Sequence, residues 1–372
     1  MDPRSSSKIP VAVLGATGSV GQRFVSLLAE HPWFEIAALT GSERSAGRPY
    51  SEAVRWMQED PLPPAAAGLE VVPTAPGLPA RLVFSALGGG IAGPLESALA
   101  EAGHIVVSNA GSHRMDPDVP LVVPEVNPDH TALIRSQRFA GGDAASRGAI
   151  LTNPNCSTIG LVMALKPLFD RFGLERVSVV TLQAASGAGI PGVPSMALLD
   201  NVVPFIPGEE EKIPAETRKI LGQPTLQLSA QANRVPVIDG HTLCISVELT
   251  SMPRKDDRLD VERLAKTFAS FRSEAVRGLP SAPVAPVVVT GRREGPQPRL
   301  DRNRGRGMAV TVGRIRECPV LGVRFVALVH NTLRGAAGGA LLLAELAVAQ
   351  GILGEDLSRP AALAARVVGS LG

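Results

Sequence analysis

Aromatic residues are scarce in this 372-residue chain, which has one Tyr, two Trp and ten Phe, 3% in all. That excludes a stacking platform for single-stranded nucleic acid. Cysteine is rarer still. Cys156, Cys244 and Cys318 are an odd number, widely spaced, with no pair at metal-ligand spacing. Neither a disulfide framework nor a metal site is expected, and a reducing, cytoplasmic setting follows. No charge of one sign dominates. Against 37 Lys and Arg stand 35 Asp and Glu, a net charge of +2 that offers no footprint for nucleic acid or an acidic membrane. Long apolar runs are also missing: Ala340–Ala349 is broken by Glu345 and too short to span a bilayer. The first ten residues lack the apolar core of a secretion signal.

What the chain does have is 45% apolar residues. At roughly 150 residues per domain, that is material for two cores. Residues 9–14, IPVAVL, suit a buried strand. A glycine-rich turn, the helical pattern QRFVSLLAEH and a second strand, EIAALT, follow. Strand, turn, helix and strand make a βαβ unit of a parallel sheet. ARLVFSAL and HIVVSNA read as further strands, with a helix, LESALAEAG, between them. This first domain is expected over 1–151.

After residue 152 the texture changes. STIGLVMALKPLFDRF reads as a helix that Pro167 kinks or stops. SVVTLQAAS, TLCISVEL, PVVVT, GMAVTVGRIR and VRFVALVHN read as strands, and DVERLAKTFASFRSEA (260–275) as an amphipathic helix. The expectation is an α/β protein. A Rossmann-type dinucleotide-binding domain, completed by a C-terminal helix over 333–372, is joined to an α+β catalytic and dimerisation domain with a mixed sheet over 152–332.

Two local patterns carry chemistry. Gly15-Ala-Thr17-Gly18-Ser19-Val20-Gly21 sits between the first strand and its helix. Such glycines let backbone approach a pyrophosphate at a helix N-terminus. Where an NAD site usually places an acid to hold the ribose hydroxyl, this chain offers Ser42, Arg44 and Ser45. A guanidinium and two hydroxyls suit a 2′-phosphate, hence NADP. Arg44 as a solvated loop arginine, and an inward-pointing Glu43, are the alternatives.

The second pattern is Asn153-Pro-Asn155-Cys156-Ser-Thr158, which opens a helix. The helix dipole and unpaired N–H groups favour thiolate over thiol. Cys244, among alternating apolar residues, is expected to be a buried small hydrophobe, and Cys318 structural. A thiolate beside a nicotinamide implies aldehyde or acyl-group oxidoreduction, which calls for an acid/base. Of six histidines, His241 follows Gly240 just before a strand; catalysis and capping are both open to it. Arg299, Arg302, Arg304 and Arg306 form a basic cluster, expected to be a solvated loop, with anion binding or a subunit contact as the alternative.

GATGSVGQ, SERSAG, SNAGSHRM, NPNCST, QAASGAG, GEEEKI, RVPVIDGHT and HNTLRGAAGG occur in the order found in aspartate-β-semialdehyde dehydrogenases. The chain resembles that family over essentially its whole length. GVPSMALLDNVVPF, PQPRLDR and GMAVTVGRIR look most like the archaeal and fungal branch. The resemblance implies reduction of β-aspartyl phosphate by NADPH to aspartate semialdehyde, on the route to lysine, methionine, threonine and, in bacteria, diaminopimelate. It makes Cys156 the nucleophile and His241 the acid/base. Gln183 orients substrate and Arg234 pairs with its carboxylate. Glu209 holds the amino group, with Glu210 and Glu211 leaving the register open, while Lys212 and Arg114 face phosphate and Asn155 also touches substrate. Thr17, Ser19, Val20, Ser85, Ser186, Gly187 and Asn331 join the cofactor contacts. A homodimer or homotetramer is implied. A malonyl-CoA reductase of the same fold and a non-catalytic NADP-binding protein are the rivals.

Overall fold

The computed structural model describes residues 8–140, 147–353 and 357. The chain divides into two compact units. One takes the residues up to Pro120, Asp129–Asn153 and the chain from Leu343; the other takes Leu121–Pro128 and Pro154–Leu342.

The first unit is built on six parallel strands: β1 (Ile9–Leu14), β2 (Phe34–Gly41), β3 (Val71–Pro73), β4 (Leu82–Ser85), β5 (Ile105–Ser108) and β6 (Ala149–Thr152), in the order β3-β2-β1-β4-β5-β6. Reversal of strand order at β1 creates a switch point at the carboxyl ends of the strands, where doubly wound sheets bind ligands. Helix α1 (Ser19–Leu28) starts three residues before the expected QRFVSLLAEH pattern. Gly21 permits this, because a Cβ there would lie 2.2 Å from Gly15 O. Helix α2 (Gly89–Glu101) likewise begins earlier than LESALAEAG and carries Pro94 in its second turn. Leu14, Val83, Leu99, Val106 and Ile150 are buried together in this unit's core.

The second unit holds a mixed sheet. Its strands are β7 (Arg176–Gln183), β8 (Gln227–Arg234), β9 (His241–Glu248), β12 (Val287–Val289), β13 (Val310–Cys318) and β14 (Gly322–Val329), in the order β12-β13-β14-β9-β7-β8. A short ribbon, β10 (Arg254–Lys255) with β11 (Arg258–Leu259), stands apart from it. Helix α3 (Cys156–Phe172) packs on this sheet and continues through Pro167, so the proline does not stop it. Leu161, Met163, Leu165 and Leu168 are fully buried. At about 1.5–3 kcal/mol each, that burial outweighs the roughly 3 kcal/mol cost of a mid-helix proline.

Helix α4 (Glu209–Leu221) also lies against α3. Helix α5 (Val261–Ala269) is shorter than the 260–275 expected from its pattern. Its buried stripe consists of Leu264 and Phe268, and Phe271 N then bonds to Phe268 O in a tighter closing turn. Near the C-terminus a π-turn, Leu333–Ala337, leads into α6 (Gly338–Ala349). Most of the helix expected beyond residue 353 falls outside the described residues.

Cys244 departs from expectation. Period-two alternation along β9 turns Leu243, Ile245 and Val247 into the core and leaves Cys244 exposed on the other face. Cys318 is buried, with Leu321 N donating to its sulfur. Among the described residues no helix is long and apolar enough to cross a membrane, and no His, Cys, Asp and Glu cluster fits a metal ion.

Candidate active site

Cys156 is the first residue of α3, half-buried. The Asn155 carboxamide oxygen caps that helix by accepting from Ser157 N at 2.9 Å and Thr158 N at 3.2 Å. The rest of Asn155 is equally engaged. Its backbone N–H donates to Glu216 Oε2 at 2.7 Å, and its Nδ2 donates to both oxygens of Glu209 at 2.8 Å. Asn155 therefore fastens the start of α3 to α4.

Of the three acids in the run, Glu209 is the one turned toward Asn155. Glu209 is buried and also accepts from Gln183 Nε2 at 3.0 Å. Glu210 instead accepts from Ala232 N on β8, and Glu211 is exposed. Lys212 Nζ lies 3.9 Å from Glu209, on a half-exposed side chain. Gln183 is itself held by Thr181 Oγ1, 3.2 Å away.

His241 opens β9, fully buried, with Nε2 3.1 Å from Cys156 Sγ. The Ala184 backbone N–H donates to its Nδ1 at 3.0 Å. Burial, followed by the charges of Arg234 and His330, lowers the imidazole pKa to about 3. Gly240 has φ +106°, a conformation open to glycine, and its N–H donates to Asn331 Oδ1 at 2.8 Å. Asn331 in turn donates to Ser186 Oγ at 2.7 Å. Arg234, at the end of β8, is buried and donates through Nη1 to Ala184 O at 2.8 Å. Burial pulls its pKa down, while Cys156 and Glu209 push it up.

Two glycines leave room for these groups. A Cβ on Gly187 would lie 2.8 Å from Arg234 Nη1 and 3.3 Å from His241 Nε2. One on Gly335, in the π-turn, would lie 2.6 Å from Cys156 Cβ. Gly335→Ala is therefore expected to displace the sulfur and lower kcat by on the order of tenfold, since small errors in attack geometry are costly. Overpacking adds a stability loss of about 1–3 kcal/mol. Steady-state kinetics and thermal melting of the same variant check both.

The second unit thus gathers Cys156, His241, Asn155, Gln183, Glu209, Lys212, Arg234, Ser186, Gly187 and Asn331. Arg114 belongs to the first unit, where its Nη2 donates to Asn109 O at 2.7 Å. Also in that unit is the glycine turn, anchored from several sides. Thr40 O accepts from Ala16 N, Tyr50 donates to Ala16 O, and Gln22 Nε2 donates to Thr17 O. No side chain caps α1 beyond Gly18. Ser42 O accepts from Ser45 N, which shapes the turn presenting exposed Arg44. The Ser85 hydroxyl, with that of Ser108, donates to buried Glu96, at 2.6 Å and 2.7 Å.

The sequence reading passed over Glu216, Thr181, Ala184 and Glu96. Ala184 acts only through its backbone, and the acids sit in ordinary helical patterns, so nothing in the sequence flagged them. The arginine cluster is not simply solvated. Arg304 and Arg292 both pair with buried Asp301, and Arg306 donates to Pro280 O.

Residues 10–134 match a family model described as semialdehyde dehydrogenase, NAD binding domain, and 165–334 match semialdehyde dehydrogenase, dimerisation domain. The aspartate-semialdehyde dehydrogenase of Archaeoglobus fulgidus is 47% identical over 92% of this chain and 99% of the relative. That of Cryptococcus neoformans is 46% identical over 95% and 100%. The chain belongs to the aspartate-semialdehyde dehydrogenase family. The Candida albicans aspartate-semialdehyde dehydrogenase, solved with NADP, superposes with a TM-score of 0.83 at 43% identity, over 93% of this chain and 100% of that one. Aspartate-semialdehyde dehydrogenase II of Vibrio cholerae, complexed with ASA, gives 0.73 at 27% identity, over 92% and 99%. Archaeal and fungal members of the aspartate-semialdehyde dehydrogenase family both stand among the relatives, as the motifs suggested.

Proposed function

We propose that the chain reduces β-aspartyl phosphate to aspartate semialdehyde and phosphate with NADPH, through a thioester on Cys156. The observation that carries this reading is the Cys156–His241 contact of 3.1 Å, with the buried carboxylate of Glu209 and the buried guanidinium of Arg234 in the same unit. A nucleophile with one anionic and one cationic anchor suits an amino acid activated at its side-chain carboxyl. We assign cofactor binding to the first unit and catalysis with self-association to the second, dividing near residue 151. The supporting features are the two family models and an uncovered sheet face around Cys244. A dimer or tetramer in sedimentation is the expected assembly. The activity fits a cytoplasmic setting and the biosynthesis of lysine, methionine, threonine and diaminopimelate.

The Cys156 thiolate adds to the acyl carbon; a C–S bond forms and the C–O bond to phosphate breaks, its electron pair leaving with phosphate. When bound, the reduced nicotinamide supplies hydride to the thioester carbon. The alkoxide so formed restores its carbonyl and expels the Cys156 thiolate. Glu209 holds the ammonium and Arg234 the α-carboxylate, while Lys212 and Arg114 attract the phosphate.

The glycine turn fits a pyrophosphate: Gly15 has φ +66°, and Gly21 has no space for a side chain. Ser42, Arg44 and Ser45 suit the 2′-phosphate. Arg44→Ala is expected to cost about 1.5–3 kcal/mol in NADP binding, as for a hydrogen bond to a charged group, and to leave NAD binding unchanged. Titration calorimetry with both cofactors checks it; an equal loss for the two means that Arg44 supports the loop instead.

The deciding assay gives the full chain NADP, phosphate and aspartate semialdehyde, and separately NADPH with malonyl-CoA. NADPH formation in the first supports the proposal. Turnover in the second alone selects the acyl-CoA reductase, and none in either leaves a binding protein.

A further inference from the structure

Outside the residues assigned so far, the second unit buries an ion pair whose influence reaches the nucleophile. Arg334, in the π-turn Leu333–Ala337, donates through Nη1 to Glu125 Oε1 at 2.6 Å and through Nη2 to Glu125 Oε2. Both side chains are buried. Resting on the function proposed above, we propose that Glu125 and Arg334 are positioning residues: their fork holds the π-turn, and through Gly335 it holds the Cys156 side chain where the sulfur attacks.

Glu125 is itself held in place. It lies in Leu121–Pro128, the short stretch that the first half of the chain lends to the second unit. There Asn127 Oδ1 accepts from Val123 N and its Nδ2 donates to Leu121 O, both at 2.9 Å, which closes the loop that carries Glu125. Leu121, Val123 and Val126 are buried in the core of the second unit. On its other side the π-turn bears on α3. Cys156, Gly160 and Met163, spaced i, i+4 and i+7, share one face of that helix. A Cβ on Gly335 would lie 2.6 Å from Cys156 Cβ, and one on Gly160 would lie 2.7 Å from Val329 Cγ1 at the end of β14. Arg334 Nη2 also donates to Met163 Sδ at 3.6 Å. The turn therefore touches the helix at its first residue and again two turns on. Four residues before Gly335, Asn331 bonds to Gly240 N and Ser186 Oγ. One short segment, 331–335, thus holds the backbone that leads into His241 at one end and packs against Cys156 at the other.

Such a pair is a poor source of stability alone. Removing two charges from water offsets most of their attraction, and apolar side chains of similar volume often do as well. What a bidentate fork adds is direction, because two parallel bonds fix the guanidinium plane. Among the described residues Arg334 Nε has no acceptor, which leaves the fork to Glu125 as the polar hold on the π-turn's side chain.

Glu125→Gln in the full chain keeps the size of the side chain and removes its charge. The expected result is a kcat about tenfold lower, with the KM for phosphate and the affinity for NADP each within about threefold, because misplacing the attacking atom harms rate and spares binding. A second readout needs no substrate: the pH dependence of Cys156 alkylation by iodoacetamide, followed at its own peptide by mass spectrometry. Its midpoint should rise by about half a pH unit as the sulfur shifts from the groups that favour thiolate. The double variant Glu125→Leu/Arg334→Met replaces the pair by apolar side chains. It should melt within a few degrees of the unaltered chain and show both losses. Turnover within about threefold of the unaltered chain, a loss carried by KM instead of kcat, or an unmoved midpoint overturns the proposal, since a pair that only stabilises the fold moves the melting temperature and neither kcat nor the midpoint. Failure of both variants to fold also overturns it, because the pair is then a requirement of folding. If the unaltered chain itself shows no turnover of aspartate semialdehyde, the function proposed above fails, and the alkylation midpoint still decides the role of the pair.

Discussion

Cys156→Ser is expected to lower turnover by about a thousandfold or more while leaving NADP affinity within a few-fold. A helix N-terminus and a nearby guanidinium bring a thiol within reach of ionisation at neutral pH; an alcohol starts far too high for the same groups to ionise it. The side chains are nearly isosteric, and Asn155 caps α3 through Ser157 and Thr158, not through Cys156. The fold and the cofactor turn should therefore survive. Turnover in the phosphate-dependent assay, with NADP binding by calorimetry on the same sample, separates the two effects. A loss below about tenfold would remove the sulfur from the chemistry. Reactivity adds a check that exposure alone would order the other way: half-buried Cys156 should alkylate faster than exposed Cys244.

Arg234→Lys is expected to lower kcat/KM by on the order of a hundredfold, far more than Arg114→Lys. A guanidinium grips a planar carboxylate with two parallel hydrogen bonds, which an ammonium cannot do. Arg234 already donates through Nη1 to Ala184 O, and that bond orients the fork next to His241. A lysine there loses both the fork and the anchor, and burial disfavours its charge. Misplacement of the acyl carbon relative to Cys156 then reaches the rate. Phosphate accepts from several directions, so Arg114→Lys should mainly raise the KM for phosphate. Kinetics with semialdehyde and phosphate varied separately decide. A change confined to the phosphate KM in Arg234→Lys would reverse the two assignments.

The parts of this molecule legible in its sequence are those whose signal is local. A short apolar strand, a glycine turn and a helical stripe specify one another over a few dozen residues, so the parallel sheet and its turn were plain. Cys156 was visible as a candidate because the signal, a cysteine at the first position of a helix, is local. His241 was not separable from a capping residue, since its partners Cys156 and Ala184 are brought to it by other elements. The choice among Glu209, Glu210 and Glu211 was undecidable for the same reason: it depends on which of them α4 turns toward Asn155. Pro167 did not stop α3 and α5 is shorter than its pattern, because a local rule was outweighed by burial in one and an apolar stripe ended early in the other. Alternation along β9 located Cys244 on the right kind of element, yet it does not say which of the two faces is covered.

That uncovered face carries a built-in counter of assembly. Cys244 stands on it exposed, whereas Cys318 is buried and Cys156 lies at the head of α3. A second copy seated on the sheet would shield Cys244 and leave Cys156 to react. The number of thiols modified per chain would then fall from two to one as particles associate, and rise again on dilution. Mass spectrometry of briefly alkylated protein at a series of concentrations would turn this one cysteine into a titration of quaternary structure, independent of any measure of size.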